Sequence, residues 1–433
     1  GFQAGYAGAS GAACALIQRK SVHFGDIVEV SEAEAMATVH AGYAVTRFQR
    51  AGILDKRAGH RLSNLPYPQT VLPCSDGYVE LNTPEGSQWK RLLEMMGKPE
   101  WSRDERYRSR MKNSRPPMVD ELDAKFIKWL SDYTKEDFYK LCREFEVPSG
   151  PVRTVDEIIK DDQLLFREFF TSIKFHDGES YLVPGIGCLL SKTPAKRDLL
   201  VPTKDSSSAP INFSDGKLPE IDSFTKNIKR TNSLAGPLQG IRVLDMGWVW
   251  AGAIPGQILA DMGAEVIKVE DTGMGDYARN MGVEEGQLSP LFIAINRNKK
   301  SFSVDLKTKS GKSVFIQLLK TADVLIEGFR PGVMERLGLS YDQCKEHKSS
   351  IVYCSITGYG QDGPYKFKAG HDINYIGYAG VLSQIGTKGG MPAIPNLQVG
   401  DILGGALVPA MTVLAALLEA QKTNQGRQID ISM

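Results

Sequence analysis

A carboxylate at the start of an apolar helix is the group best suited to chemistry in this sequence. Asp401 follows Gly400, and the segment after it, ILGGALVPAMTVLAALLEAQ, is almost wholly apolar. Helix N–H groups favour an ionised carboxylate, while apolar surroundings remove water from it. Such a group can attack a thioester as a nucleophile or take a proton from an acidic carbon as a base. Asp is also a common N-cap residue, so a purely structural role stays open at this point.

The segment that contains Asp401 follows a regular alternation of predicted strands and helices. Strands are predicted at 241–247, 264–270, 301–306, 322–329 and 349–360, with helices between them. This spacing favours an α/β fold with a Rossmann-like, doubly wound parallel sheet. Neither GxGxxG nor GxxxxGK[ST] follows the first strand, so a nicotinamide fingerprint and a P-loop are excluded.

The ends of these strands carry the other candidate residues. Trp248, Trp250 and Ala251 follow the first strand, and Gly328, Phe329 and Arg330 follow the fourth. Further candidates come later in the chain: Arg336, Lys368, His371, Tyr375 and Tyr378. Doubly wound sheets bind ligands at the carboxyl ends of their strands, where these residues are expected to meet. A structural imidazole at His371 and core tryptophans at 248 and 250 remain alternatives.

An internal repeat indicates how the chain is organised. AACALIQRKSVHFGDIVEVS, ending at Ser31, matches VLAALLEAQKTNQGRQIDIS, ending at Ser432, in a helix, a polar loop and a short strand. The 401-residue separation predicts two tandem copies of a large domain. Residues 1–200 would end the first copy, with a smaller α+β domain at about 66–195, and 236–433 would begin the second. A Ser-, Asp- and Pro-rich linker at 201–235 would join them.

Each copy is then incomplete. We expect a fragment of a longer tandem protein that is inactive in isolation, because each half-domain lacks its packing partner.

Composition excludes several classes of function. The chain has 52 Lys and Arg residues and 51 Asp and Glu residues, which leaves a net charge of +1. It therefore lacks the excess of basic residues that is typical of proteins that bind nucleic acid or an anionic membrane. The sequence has no run of 18 uninterrupted apolar residues and no signal-peptide pattern at its start, so we expect a cytoplasmic protein without a membrane span. Six dispersed cysteines and six scattered histidines predict reduced, mostly buried thiols and no metal site.

The motifs of 237–433 resemble the first half of class III CoA-transferases, the superfamily of formyl-CoA transferase, carnitine CoA-transferase and 2-methylacyl-CoA racemase. The matching segments are PLQGIRVLDMG, LADMGAEVIKVE, GDYAR, NRNKKSFSVDLK, ADVLIEGFRPGVMERLGL, ITGYGQDGPY, AGHDINY and GRQIDISM. Residues 1 to about 200 resemble the second half through GYVELNT, VPSGPVRTVDEI and REFF. The resemblance therefore covers nearly the whole chain and implies the family's Rossmann-like fold.

The resemblance also implies roles for residues. Asp401 falls on the catalytic aspartate, which forms a mixed anhydride with an acyl group and then an aspartyl-CoA thioester. CoA contacts fall on Trp250, Ala251, Gly328, Phe329, Arg330, Arg336 and Lys368. Coenzyme A would be a co-substrate, with no tightly bound cofactor or metal, and a homodimer or a pseudo-dimer of tandem copies is implied. In the racemase branch, His371 and Asp401 fall on a two-base pair.

Tandem copies and the segment GWVWAG resemble, more narrowly, the members that transfer CoA to dimethylsulfoniopropionate (DMSP) and then eliminate dimethyl sulfide. A sulfonium is a cation without N–H donors, so an aromatic cage suits it. The predicted cage consists of Trp248, Trp250, Tyr375 and Tyr378. Three alternatives remain: a transferase for another small, carnitine-like acid, a 2-methylacyl-CoA racemase, and a non-catalytic CoA-binding protein.

Overall fold

The chain begins with two helices, α1 (Phe2–Val22) and α2 (Glu32–Ala51). The computed structural model describes residues 1–54, 56–62, 65–174, 178–194, 236–281 and 288–433, with the backbone alone at 39–42. The predicted linker 201–235 lies outside the described residues.

A small α+β unit follows. Its antiparallel sheet has the order β1-β2-β3, with strands Gln69–Cys74, Gly77–Asn82 and Gly150–Pro151. Its helices are α3 (Gly86–Met95), α4 (Arg110–Asn113), α5 (Met118–Leu130) and α6 (Lys135–Glu144). Helix α5 buries Val119, Leu122, Phe126 and Leu130 at helical spacing against this sheet.

Short elements connect this unit to the main sheet. They are α7 (Val155–Ile158), α8 (Asp162–Phe166), the antiparallel pair β4 (Phe170–Lys174) and β5 (Ser180–Pro184), and β6 (Cys188–Leu190).

The main sheet has seven strands in the order β6-β12-β11-β10-β7-β8-β9. Its parallel strands are β7 (Arg242–Met246), β8 (Glu265–Glu270), β9 (Lys300–Ser303), β10 (Val324–Glu327), β11 (Val352–Thr357) and β12 (Arg427–Ser432). Strand β6 adds an antiparallel edge. The six parallel strands follow the Rossmann order 3-2-1-4-5-6, which confirms the predicted fold class.

Helices cover both faces of this sheet. They are α9 (Val249–Asp261), α11 (Lys309–Leu319), α12 (Val333–Leu337), α13 (Tyr341–His347) and α15 (Val408–Thr423). Helix α10 (Pro290–Asn296) packs on α2 and α9, and α14 (Asp372–Tyr378) packs on β2 and β3 of the small sheet. Val324 and Ile326 pack on the side of α9 and α15, while Leu325 between them packs with α11 and α13. Because successive side chains of a strand point to opposite faces of the sheet, each buried strand contributes to two cores, one on each face.

The strand order reverses between β7 and β10, and this is the topological switch point. In open sheets of this kind, the connections that diverge from two such strands leave a crevice at their carboxyl ends, and ligands bind there. The segments that begin at Gly247 and Gly328 leave the sheet at this point, as the sequence predicts.

The first and second halves of the chain pack directly on each other. Strand β6 pairs with β12, and Cys14 and Ile17 of α1 share a core with Leu414 and Leu417 of α15. The expectation that each half lacks a packing partner is therefore wrong for the described residues. Each half supplies apolar faces and a sheet edge that the other covers.

The strand predicted at the end of the first repeat does not form. Residues 24–31 pair with no strand among the described residues, and Ile27 is 91% exposed. The matching segment β12 is held between β6 and β11. A strand needs a hydrogen-bonding neighbour, and among the described residues none lies beside 24–31.

One helical stretch among the described residues, Gly400–Thr423, is long and apolar enough to cross a membrane by length and composition alone. Two-thirds of its most apolar window is buried inside the protein, as in a core helix. All six cysteines are unpaired and five of them are buried, as predicted.

Candidate functional site

Asp401 lies in a π-helical segment, Gly400–Leu407, that leads into α15. The widened turn is visible at its end, where the N–H of Val408 donates to the carbonyl of Leu403, five residues earlier. A Cβ on Gly405 would lie 2.5 Å from the Cβ of Ala251, so the glycine lets α9 approach closely. The fold thus brings the segments of two predicted site residues, Asp401 and Ala251, into contact.

A second carboxylate, Asp372, caps this segment. Its side chain accepts a hydrogen bond from the backbone N–H of Asp401, at 3.0 Å from Oδ1, and others from Val399 and Gly400. The N-cap role that the sequence left open for Asp401 therefore belongs to Asp372. Among the described residues, no group donates a hydrogen bond to the Asp401 carboxylate.

The two carboxylates perturb each other. Burial raises the pKa of Asp401 well above its ordinary value, and the negative charge of Asp372 raises it further. Burial also raises the pKa of Asp372, although its three backbone donors oppose the shift. Asp401 is thus a half-buried carboxylate that is poorly solvated and correspondingly basic.

His371 is the N-cap residue of α14, directly before Asp372. The backbone N–H of His371 donates to the side-chain oxygen of Asn374 at 2.7 Å, and the backbone N–H of Asn374 donates to the carbonyl of His371 at 2.8 Å. Nε2 lies 3.2 Å from the side-chain amide nitrogen of Gln88 in α3. Burial, together with the positive charge of Arg330, lowers the pKa of His371 to about 4. The imidazole is therefore neutral at pH 7.

Three aromatic rings, Trp248, Tyr277 and Phe329, form a group at the switch point, which we call the aromatic triad. The ring centroid of Trp248 lies 6.2 Å from that of Tyr277 and 6.2 Å from that of Phe329, both edge to face. Burial raises the pKa of Tyr277, and the charge of Asp401 raises it further, so this ring of the triad lies within electrostatic reach of Asp401. It offers apolar ring surface beside a carboxylate.

The other two rings of the predicted cage lie in a separate cluster. Tyr375 and Tyr378 pack with Tyr139, Tyr359 and Tyr365, whereas Trp248 and Trp250 pack around α9. The four rings therefore do not pack as a single cage, although Tyr375 lies against the Asp401 segment, where a Cβ on Gly400 would be 3.2 Å from the Cβ of Tyr375.

Two basic side chains of the chain itself pack on these tyrosines. Arg153 lies 5.3 Å from the ring centroid of Tyr378, and Nζ of Lys368 donates to the hydroxyl of Tyr139 at 2.7 Å. Lys368 also lies over the ring of Tyr365. Burial lowers the pKa of Lys368 to about 6. In this conformation, the predicted CoA contact at Lys368 is turned toward the tyrosines.

The remaining predicted contacts are distributed along the edge of the crevice. Gly328, Arg330 and Arg336 are exposed there. Trp250 is half-buried and packs edge to face on Tyr43, with ring centroids 5.4 Å apart. Exposed guanidinium groups beside the opening are suited to phosphate groups.

Sequence reasoning missed two residues of this site, Tyr277 and Gln88, and it singled out Asp372 without giving it a role. Asp372 stands next to His371 in AGHDINY, and Tyr277 stands in GDYAR, so both were inside recognised motifs. Gln88 had no such signal, because its contact with His371 joins positions 283 residues apart. Among the described residues, no group of three His, Cys, Asp or Glu side chains could hold a metal ion.

Known proteins similar to this chain include a CoA-transferase and a racemase. The chain is 40% identical over 204 residues to a succinate–glutarate CoA-transferase of Agrobacterium fabrum, covering 46% of this chain and 51% of the relative. It is 37% identical over 196 residues to the mouse alpha-methylacyl-CoA racemase, covering 45% and 48%. A crystal structure of a CAIB/BAIF family protein from Brucella suis matches at 35% identity and a TM-score of 0.44, covering 46% of this chain and 53% of that one.

The chain spans about half the length of the curated relatives it matches. The model of CoA-transferase family III matches both halves of the chain, at residues 2–206 and 238–433. The match extends over most of the sequence, and the chain belongs to CoA-transferase family III.

Proposed function

We propose that the crevice between β7 and β10 transfers coenzyme A between carboxylic acids, with Asp401 as the covalent nucleophile. One observation carries the proposal: Asp401 is a poorly solvated carboxylate without hydrogen-bond donors among the described residues. Asp372 occupies the backbone N–H groups that would otherwise stabilise the negative charge of Asp401. Such a carboxylate retains its nucleophilicity toward a thioester.

The reaction runs through two kinds of covalent adduct. The Asp401 carboxylate attacks the acyl-CoA carbonyl, which forms a mixed anhydride and releases the CoA thiolate. The thiolate attacks the aspartyl carbonyl, which forms an aspartyl-CoA thioester and releases the first acid. The carboxylate of the second acid attacks the aspartyl carbonyl of this thioester, which forms a new anhydride and releases the CoA thiolate. The thiolate then attacks the acyl carbonyl of that acid, which forms the new acyl-CoA and regenerates Asp401 as a carboxylate.

For the second acid, we propose DMSP. The aromatic triad supports this choice, because ring faces attract a sulfonium and the triad lies beside Asp401. Once DMSP is a thioester, its α-proton is acidic enough for a carboxylate to remove while dimethyl sulfide leaves from the β-carbon. The product is the CoA thioester of a three-carbon acid, 3-hydroxypropionyl-CoA after addition of water.

A dicarboxylic acid is a second candidate, favoured by Arg330. This exposed guanidinium lies close enough to His371 to lower its pKa, so it could bind a distal carboxylate near the site. The Agrobacterium relative is named for succinate and glutarate. A racemase is a third candidate, supported by the neutral imidazole of His371.

A panel of acids separates these candidates. The 433-residue chain is incubated with acetyl-CoA and DMSP, carnitine, glutarate or succinate, and new CoA thioesters are identified by mass spectrometry. Headspace analysis detects dimethyl sulfide, and solvent deuterium at the α-carbon of 2-methylacyl-CoA reports racemisation. Transfer to DMSP with release of dimethyl sulfide supports the first proposal, and transfer to glutarate alone would replace it. The Asp401→Asn variant is the control.

We also propose tandem family copies that pair as a pseudo-dimer, in a cytoplasmic protein acting on small molecules. The separate matches of the family model at 2–206 and 238–433 support the two copies. The sequence predicted an inactive chain, for lack of packing partners. Because the two halves pack on each other, we propose instead that the 433-residue chain is active, and the acid panel decides between the two.

A further inference from the structure

The turn between β7 and α9 is strained. Val249 has a φ of +51°, in the left-handed region that β-branched residues rarely adopt. The preceding Gly247 allows no side chain, because its Cβ would lie 1.9 Å from the carbonyl oxygen of Gly252. The backbone between these residues presents Trp248, which belongs to the aromatic triad.

Four buried charged side chains surround this turn, and we call them the buried clamp: Asp245, Lys268, Asp276 and Lys299. Asp245 accepts the N–H of Gly247 at 2.9 Å, and Lys268 donates to the carbonyl of Gly247. Asp276 accepts the N–H of Val249 at 3.2 Å. Both polar groups of Gly247 and the N–H of the strained Val249 are therefore held by clamp residues.

The clamp residues also pair with one another. Lys268 lies 2.9 Å from Asp276, and Lys299 lies 2.7 Å from Asp245, with all four side chains at most 2% exposed. Lys299 donates in addition to the carbonyl of Ala253 in α9, at 2.6 Å. Apolar replacements of buried ion pairs are often neutral or stabilising, so stability alone does not explain four buried charges at one turn.

The clamp reaches two rings of the aromatic triad. It holds the turn that carries Trp248, and Asp276 also accepts the N–H of Ala278, capping the short 3-10 helix that starts with Tyr277. We propose that Lys268 and its clamp partners are positioning residues, which force Val249 into its left-handed conformation and thereby fix Trp248 against Tyr277 beside Asp401. The positioning role of the clamp extends the proposed function. Only the part of the aromatic triad in substrate binding rests on that function.

Fluorine NMR can test the clamp without any turnover. The chain has five tryptophans, and 5-fluorotryptophan labelling gives one resonance for each. The Trp248→Phe variant assigns the Trp248 resonance. In the wild-type protein we expect one sharp Trp248 signal. In Lys268→Met, a second Trp248 signal of comparable intensity should appear as the turn relaxes to negative φ, while the signals of Trp89, Trp101 and Trp129 stay in place.

A glycine at 249 provides the decisive rescue. Glycine adopts φ of +51° without strain, so Lys268→Met/Val249→Gly should recover a single Trp248 signal. The matched control Lys268→Met/Val249→Ala also removes the valine methyl groups but keeps the strain, and it should retain two signals. Recovery in both double variants or in neither would overturn the proposal.

A thermal comparison covers the case in which Lys268→Met does not fold. In the wild-type background, Val249→Gly should unfold at a higher temperature than Val249→Ala, against the usual preference for Ala over Gly in helices. The opposite order would overturn the proposal. All of these results concern the turn alone, so they stand or fail independently of CoA transfer, which the acid panel measures.

Discussion

The carboxylate of Asp372 accepts the backbone N–H of Asp401 at 3.0 Å, and this contact sets the chemistry of the site. A helix start normally offers its N–H groups to an acidic side chain in the first turn. Here Asp372 takes them, and the Asp401 carboxylate stays without donors from the described residues and with a raised pKa. Under the proposed mechanism, this geometry keeps the nucleophilic carboxylate poorly solvated at the start of a helix.

The raised pKa values predict that the site destabilises the fold at neutral pH. The folded protein binds protons at Asp401 and Asp372 at pH values where the unfolded chain has released them, so stability falls as pH rises from about 4 through the folded pKa values. Asp401→Asn should therefore raise the unfolding temperature at pH 8 and have little effect near pH 4. Each tenfold difference in proton affinity between the folded and unfolded chains corresponds to about 1.4 kcal/mol.

Calorimetry at both pH values checks this prediction. Asp342→Asn, at a carboxylate whose side chain is 80% exposed, is the control and should change the unfolding temperature little at either pH. An Asp401→Asn protein that is less stable than wild type at pH 8 would contradict the raised pKa.

His371 should titrate far below an ordinary histidine. Burial and the charge of Arg330 lower its pKa to about 4. The unfolded chain takes up this proton near pH 6.5 and the folded protein does not, so stability falls as pH drops from about 6.5 to 4. NMR of the imidazole protons, assigned with His371→Gln, should give a midpoint of about 4. A midpoint of about 6.5, as in a free imidazole, would mean that the ring is solvated, unlike in this structure.

The two tryptophans should differ in their effect on cationic substrates. Trp248 belongs to the aromatic triad, while Trp250 packs on Tyr43. Trp248→Leu should lower kcat/KM for DMSP relative to a neutral isostere by about 30-fold, which corresponds to a desolvated cation–π contact of about 2 kcal/mol. Trp250→Leu is the matched control and should change this ratio much less. If the ratio of kcat/KM for DMSP to that for the neutral isostere is the same in Trp248→Leu and Trp250→Leu, the aromatic triad does not select the cationic substrate.

Gly405 should tolerate no side chain. A Cβ there would lie 2.5 Å from the Cβ of Ala251 and 2.8 Å from the sulfur of Met433, so the π-helical segment would have to move away from α9. Gly405→Ala should destabilise the protein by about 1–3 kcal/mol and slow transfer. Gly5→Ala in α1, where a Cβ meets nothing within 4 Å, should be neutral or stabilising. Similar denaturation midpoints for the two variants would contradict the close packing of α9.

Local patterns predicted the sheet and the edge that carries the site. Hydrophobic runs and glycine-punctuated turns identify strands β7 to β11, and the switch-point rule then brings Trp248 and Phe329 together, at 6.2 Å. Position 401 was recognisable because a carboxylate beside a long apolar helix is unusual. The resemblance to known CoA-transferases pointed to the same residue.

The remaining features depend on contacts between distant parts of the chain. Lys368 and Arg153 occupy the tyrosine cluster because segments from both halves meet there. Residues 24–31 match β12 in sequence but remain unpaired, since strand pairing depends on a neighbour that local sequence does not specify. The capping role of Asp372 requires α14 and the π-helical segment to meet, 29 residues apart.

Chemical trapping of the acyl-enzyme tests the role of Asp401 without any assumption about the second acid. The 433-residue chain is incubated with acetyl-CoA, treated with hydroxylamine, digested and sequenced by mass spectrometry. We expect a hydroxamate on Asp401, because hydroxylamine attacks the aspartyl carbonyl of the anhydride or thioester, and we expect none in Asp401→Asn. A chain that gives no adduct at Asp401, or an Asp401→Asn variant that exchanges CoA at the wild-type rate, would contradict the assignment of Asp401 as the nucleophile.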